Sequence, residues 1–191
     1  MKSKYQFIGE NNITACFVSG EFIWIAFFGE NNISILYKSS VYNPNTRYWS
    51  ISVTADEIKS IIEDSTYLYL SIDYSTNIGA KITKSSPSSI SYFVTQSGIN
   101  EESVDLIDDA TYVYFLTPGI ASGENAKICK YNKSTRAFVE TIDLTTVTNA
   151  KKLDIDNAGV LWVQSDLDTS VPKLTKVEYS GSWSFTTYNL T

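Results

Sequence analysis

The chain has 191 residues, 43% of them apolar and 14% aromatic, which suffices for a sizeable core and excludes a disordered chain. Its net charge is −6, and the 15 basic residues are scattered, which argues against nucleic-acid and anionic-membrane partners. Histidine is absent, so His-based acid–base catalysis, Ser-His-Asp and Cys-His nucleophiles and His-ligated metals are excluded.

The chain opens with basic Met1-Lys2-Ser3-Lys4, but no apolar segment follows as in a signal peptide. Tyr5-Gln6-Phe7-Ile8 reads as a strand, making residues 1–10 an extra strand outside the series that follows. Gly9-Glu10-Asn11-Asn12 then turns the chain, and Gly29-Glu30-Asn31-Asn32 repeats that turn. The apolar run from Phe22 to Phe28 is far short of the roughly 20 residues a membrane helix needs. A soluble protein without targeting or transmembrane segments is therefore expected.

From here the sequence repeats. Phe22-Ile23-Trp24-Ile25-Ala26-Phe27 returns as Tyr67-Leu68-Tyr69-Leu70-Ser71-Ile72, as Tyr112-Val113-Tyr114-Phe115-Leu116-Thr117 and as Val160-Leu161-Trp162-Val163-Gln164-Ser165. Each run is too short for a helix and reads as a buried strand. Trp24, Tyr69, Tyr114 and Trp162 follow one another at intervals of 45, 45 and 48 residues. A lysine-flanked run follows each, with Leu36, Ile82, Ile128 and Leu174 spaced 46 apart. A fixed period of this length with four strand-like runs per repeat is the pattern of a propeller blade.

The expected fold is all-β: a β-propeller of four four-stranded antiparallel blades, or half of an eight-bladed ring completed by dimerisation. The whole chain, residues 1–191, then forms one propeller domain, with blades at about 12–54, 55–97, 98–144 and 145–191. Strands are expected at 13–18, 22–28, 33–38 and 48–53 in the first blade and at 58–62, 67–72, 80–84 and 90–95 in the second. The third has 104–107, 112–117, 126–131 and 137–144, and the fourth 152–155, 160–164, 173–179 and 183–190. Trp24, Tyr69, Tyr114 and Trp162 are the expected anchors between blades. Cys16 and Cys129 fall in separate blades and are expected to be buried free thiols.

The fourth repeat contains Asp156-Asn157-Ala158-Gly159-Val160-Leu161-Trp162-Val163. This resembles the blade signature of two-component-regulator and NHL-like β-propellers, in which Asp and Gly shape the first turn and Trp packs between blades. The match covers one repeat at motif level and the whole chain only in its period. Four such repeats are similar in outline to hemopexin-type rings. The resemblance implies a fold and little about activity.

No phosphate loop or CxxC occurs, so no catalytic residue, cofactor or metal site is expected. Acidic residues recur at one point of three repeats, as Glu63-Asp64, Asp108-Asp109 and Asp154 with Asp156. They read as turn formers first. Calcium binding or a glycosidase carboxylate pair is the alternative, and copies in separate blades are expected to lie too far apart for such a pair. Tyr42, Tyr48, Trp49 and Tyr74 are the candidate binding residues, as aromatics in loops and outer strands. The expected function is a non-catalytic binding or assembly module, not an enzyme, with a protein or glycan partner and scope for homo-oligomers. The composition, rich in Ile, Asn, Lys, Ser and Tyr, resembles that of bacteriophage virion and receptor-recognition proteins. A carbohydrate-binding or carbohydrate-cleaving propeller using the acidic turns is the alternative.

Overall fold

Apolar–polar alternation, short length and β-branched or aromatic content drive these segments into strands, and short connections force neighbours to pair antiparallel. The computed structural model describes residues 13–28, 33–43, 47–74, 76–99, 102–120, 124–166 and 171–190. The expected strand at 5–8 and the turns at 9–12 and 29–32 lie outside the described residues.

Among the described residues sixteen strands form four sheets. Blade 1 holds β1 (Ile13–Ser19), β2 (Phe22–Phe27), β3 (Ile33–Ser40) and β4 (Arg47–Thr54). Blade 2 holds β5 (Glu57–Glu63), β6 (Tyr67–Asp73), β7 (Asn77–Thr83) and β8 (Ser86–Val94). Blade 3 holds β9 (Asp105–Asp108), β10 (Tyr112–Thr117), β11 (Lys127–Asn132) and β12 (Phe138–Asp143). Blade 4 holds β13 (Ala150–Ile155), β14 (Leu161–Asp166), β15 (Pro172–Tyr179) and β16 (Trp183–Asn189). In every blade the strands lie side by side in chain order. Residues 56–62 can also be read from the sequence as one helical turn, yet 57–63 form the strand β5.

The sheets pack in chain order through their first strands, β1 on β5, β5 on β9 and β9 on β13. No comparable contact joins β13 to β1 among the described residues. Three apolar clusters fill the junctions. Trp24, Ala26 and Leu36 meet Leu68, Leu70 and Ile82 between blades 1 and 2. Tyr69, Ile78 and Phe93 meet Val113, Phe115 and Cys129 between blades 2 and 3. Tyr114, Leu116 and Ile128 meet Leu161, Val163 and Val177 between blades 3 and 4. Each large side chain so buried contributes about 2–3 kcal/mol before entropy is counted.

Three details depart from the repeat pattern. Strand register makes Gly79, and not Ile82, the partner of Leu36, Ile128 and Leu174 in the repeat, because Lys38, Lys81, Lys130 and Lys176 each sit opposite the anchor aromatic of their blade. Ile82 instead points back toward blade 1. Cys129 is buried but Cys16 is exposed, since no sheet packs on that side of β1 among the described residues. Trp24, Tyr69 and Tyr114 are buried in the junctions, whereas Trp162 is half-buried on the outward face of blade 4.

Candidate functional site

The acidic turns between first and second strands share one construction. Asp64 accepts hydrogen bonds from the Thr66 and Tyr67 amides, both at 2.8 Å, and from the Tyr69 hydroxyl at 2.9 Å. Asp109 does the same with Thr111, Tyr112 and the Tyr114 hydroxyl at 2.7, 2.6 and 2.7 Å. Asp156 accepts from the Ala158 and Val160 amides and from Trp162 Nε1, at 2.9, 3.0 and 3.2 Å. One carboxylate thus caps the turn and fixes the anchor aromatic of its own blade. The blade 4 turn is one residue longer, and Gly159 supplies the left-handed backbone (φ 80°) that this extra residue requires. Thr66 and Thr111 stand in the shorter turns without positive φ.

The preceding acid of each pair faces the junction. Glu63 accepts Trp24 Nε1 from blade 1 at 3.0 Å and pairs with Lys84 at 3.4 Å. In the next blade Lys133 pairs with Asp108 at 2.5 Å and also with Asp64 of blade 2 at 3.3 Å. Contrary to the expected separation, carboxylates of adjacent turns therefore meet, on a shared ammonium. Blade 4 has Ile155 at this place, and its junction is closed by Trp183 Nε1 donating to Glu140 at 2.9 Å. In blades 1 to 3 the lysine opposite the anchor adds a cation over the rings. Lys38 lies 3.9 Å from the Phe22 centroid, Lys81 3.7 Å from Tyr67 and Lys130 4.3 Å from Tyr112.

These contacts set the ionisation. Burial works to raise the Asp64 carboxyl, but the Thr66 and Tyr67 amides and the Tyr69 hydroxyl outweigh it and hold it below the ordinary value. Asp109 is lowered in the same way against burial, by the Tyr114 hydroxyl and the turn amides. Burial, then the bond to its carboxylate, pushes each of the Tyr69 and Tyr114 phenols far up. Asp64 and Asp109 are thus held as carboxylates and their tyrosines as neutral donors.

The opposite end of the blade 2–blade 3 junction differs. Lys59 pairs with Glu57 at 2.5 Å, Glu102 at 3.7 Å and Asp73 at 4.0 Å. Burial first, and then the hydrogen bond and charge of Glu102, push Asp73 up to about 6. Nothing in the sequence period marks this group, because Glu102 stands in a connection and not in a repeated strand. Lys59 occupies its centre, and no cluster of three or more acidic or cysteine ligands is arranged for a metal ion among the described residues.

The four candidate binding aromatics do not converge. Tyr42 and Tyr48, 78% and 57% exposed, lie at one end of blade 1, where Tyr48 meets Phe22 edge-on at 5.4 Å. Trp49 is half-buried against Trp24, with ring centres 5.1 Å apart. Tyr74 sits at the other end of blade 2, packed on the first junction. Among the described residues no helix is long and apolar enough to cross a membrane.

No protein-family model and no curated protein matches the chain. Solved structures do. One is hydrazine synthase of Kuenenia stuttgartiensis, at a TM-score of 0.71 and 12% identity over 92% of this chain and 53% of that one. Another is the extracellular domain of a hybrid two-component system of B. thetaiotaomicron, at 0.64 and 15% identity over 99% of this chain and 24% of that one. At these identities the likeness is one of fold alone, and the chain spans about half or less of the length of the structures it matches.

Proposed function

We propose that the chain is a non-catalytic β-propeller module for binding or assembly, and that it meets its partner through the exposed aromatic end of blade 1. The observation that carries this reading is the exposure of Tyr42 and Tyr48, 78% and 57%, beside side chains that are otherwise engaged. A tyrosine offers flat apolar area and a polar tip, which suits both a protein face and a sugar ring. Lys38 above Phe22 adds a positive charge beside this surface. The turn acids, by contrast, are occupied by amides, phenols and lysines, as a structural role requires. In its more specific form the module is a virion or receptor-recognition component, a reading supported by composition alone.

A second reading, carbohydrate cleavage, draws on one observation. Asp73 with its raised pKa beside Glu102 is a pair in which one carboxyl keeps its proton near pH 5–6, as a glycosidase acid must. A glycan array separates the readings. The binding module loses array signal on Tyr42→Ala plus Tyr48→Ala with an unchanged melting temperature. Hydrolysis of chromogenic glycosides, abolished by Asp73→Asn or Glu102→Gln in a folded protein, would establish the enzyme instead.

A further inference from the structure

The outer edge of each blade is a single strand, β4, β8, β12 or β16. Such a strand leaves a row of backbone N–H and C=O groups without a ladder partner, and an open row is a template for another chain. Three of the four rows are blunted. β4 begins at Arg47, its register against β3 shifts, and its Thr54 amide donates to the Tyr92 hydroxyl of blade 2 at 3.1 Å. β8 holds Pro87, and its register against β7 shifts twice. Its Tyr92 and Val94 carbonyls accept Arg136 Nη1 and the Tyr131 hydroxyl of blade 3, at 3.2 and 2.8 Å. β12 carries Glu140 and Asp143, and its register against β11 shifts as well.

β16 has none of these devices. Trp183-Ser184-Phe185-Thr186-Thr187-Tyr188-Asn189 contains no charge and no proline, and it keeps unbroken register with β15. Leu190 N donates to Pro172 O at 2.9 Å, and bonded and non-bonded pairs alternate along an antiparallel ladder. Trp183, Phe185, Thr187 and Asn189 therefore turn their N–H and C=O groups away from β15. Among the described residues nothing donates to these groups or accepts from them. Thr186, Thr187, Tyr188 and Asn189 are exposed.

We infer that the edge of β16 pairs with the same edge of a second copy of this chain, antiparallel, about a two-fold axis through Thr186. Thr186 is the middle residue of the strand, so this register uses its whole length. Trp183 then meets Asn189 of the partner subunit, and Phe185 meets Thr187 of the partner subunit, each pair exchanging both backbone bonds. Thr186 faces its own copy, a favourable cross-strand pair. Charge singles out a second copy as the occupant. At a net charge of −6, a foreign partner is best recruited by offering basic groups to acids, and β16 has no acid to receive them. Two copies of so acidic a chain can pair only where like charges do not face each other. A two-fold on β12 would bring Glu140 and Asp143 of both copies to one seam, whereas β16 brings no charge. The contact is isologous and closes at two copies. It is separate from the Tyr42 and Tyr48 end of blade 1 and holds whether or not that end binds a partner.

Native mass from light scattering should be twice the 21.4 kDa of the chain. Thr186→Glu, which sets two carboxylates face to face on the axis, should halve it. Thr187→Pro should do the same, since it removes an outward N–H and no bond to β15. Both variants should keep the circular dichroism of a folded sheet protein; where one misfolds, the other and the following cross-link decide. In a Cys16→Ser background, Thr186→Cys should link two copies under mild oxidation, because a non-bonded antiparallel pair holds its Cα atoms roughly 4.5 Å apart. Asn189→Cys, offset from its own copy by almost the whole strand, should give no link. A monomer at every accessible concentration overturns the inference. So does an assembly of three or more copies, a dimer that folded Thr186→Glu or Thr187→Pro leaves intact, or a Thr186→Cys protein that does not link.

Discussion

Lys133 and Asp64 belong to different blades, yet Lys133 Nζ lies 3.3 Å from Asp64 Oδ2 while pairing with Asp108 of its own blade at 2.5 Å. The same Asp64 caps its turn and fixes Tyr69 through its other contacts. A residue type that suggests catalysis in a sequence is here part of the fastening between sheets. The physical reason is economy of position. The turn must hold an acceptor for two amides, and that acceptor then lies beside the next blade.

Asp109→Ala should lower stability by roughly 1–3 kcal/mol, because two amides and the Tyr114 hydroxyl lose a charged acceptor. Urea unfolding measures this. An unchanged midpoint would mean that water replaces the carboxylate without loss.

Gly79→Ala tests the contact that register placed at this position. A Cβ at Gly79 would collide with the Phe115 ring of blade 3 and approach the Leu70 carbonyl at 2.8 Å. Neither the ring, packed among Phe93 and Tyr131, nor the backbone can withdraw easily. A loss of roughly 1–3 kcal/mol, or more, is expected on the scale of overpacked cores. A variant that melts like the parent would show that Phe115 swings aside.

The sheet pattern was legible because it depends on local alternation and on a period that every blade obeys. All sixteen strands stand within a few residues of where the runs place them. The third strand of blade 2 misled, because its apolar residue at the regular spacing, Ile82, faces the wrong junction. Only pairing shows that Lys81 opposes Tyr69 and that the small residue Gly79 makes room for a ring from the next blade. Cys16 misled for a different reason. Its apolar surroundings in sequence are those of a buried strand, but burial on this face is confined to Ile25, Phe27 and Tyr37 of the two following strands and does not reach Cys16 on the first. The Lys59–Asp73–Glu102 group was invisible, since its members converge only when two blades meet.

The pH dependence of Asp73 has a definite sign. Its folded pKa of about 6 lies above the ordinary 3.8, so the folded state holds the proton more tightly than the unfolded one. Its contribution is fully present below about pH 4 and is lost as the pH rises through 6. Asp73→Asn removes that loss. The melting temperature of the variant relative to the parent should therefore rise between pH 4 and 6 and stay level above. The opposite slope would mean that Lys59 governs Asp73 more than Glu102 does.

Trp24→Ala should cost roughly 3–5 kcal/mol, the range for large core truncations. Trp24 is 2% exposed, and its loss also removes the partner of Trp49 and the donor to Glu63. Thermal or chemical unfolding of the purified variant measures it, and a loss below 1 kcal/mol would show that the first junction does not depend on this ring.

The claim that the acidic residues hold blades together is tested most directly by a double-mutant cycle on Asp64→Asn and Lys133→Met, read by urea unfolding. A favourable coupling of roughly 0.5–3 kcal/mol is expected for a half-buried, hydrogen-bonded pair that joins two sheets. Strictly additive losses, with no coupling between the two positions, would contradict it.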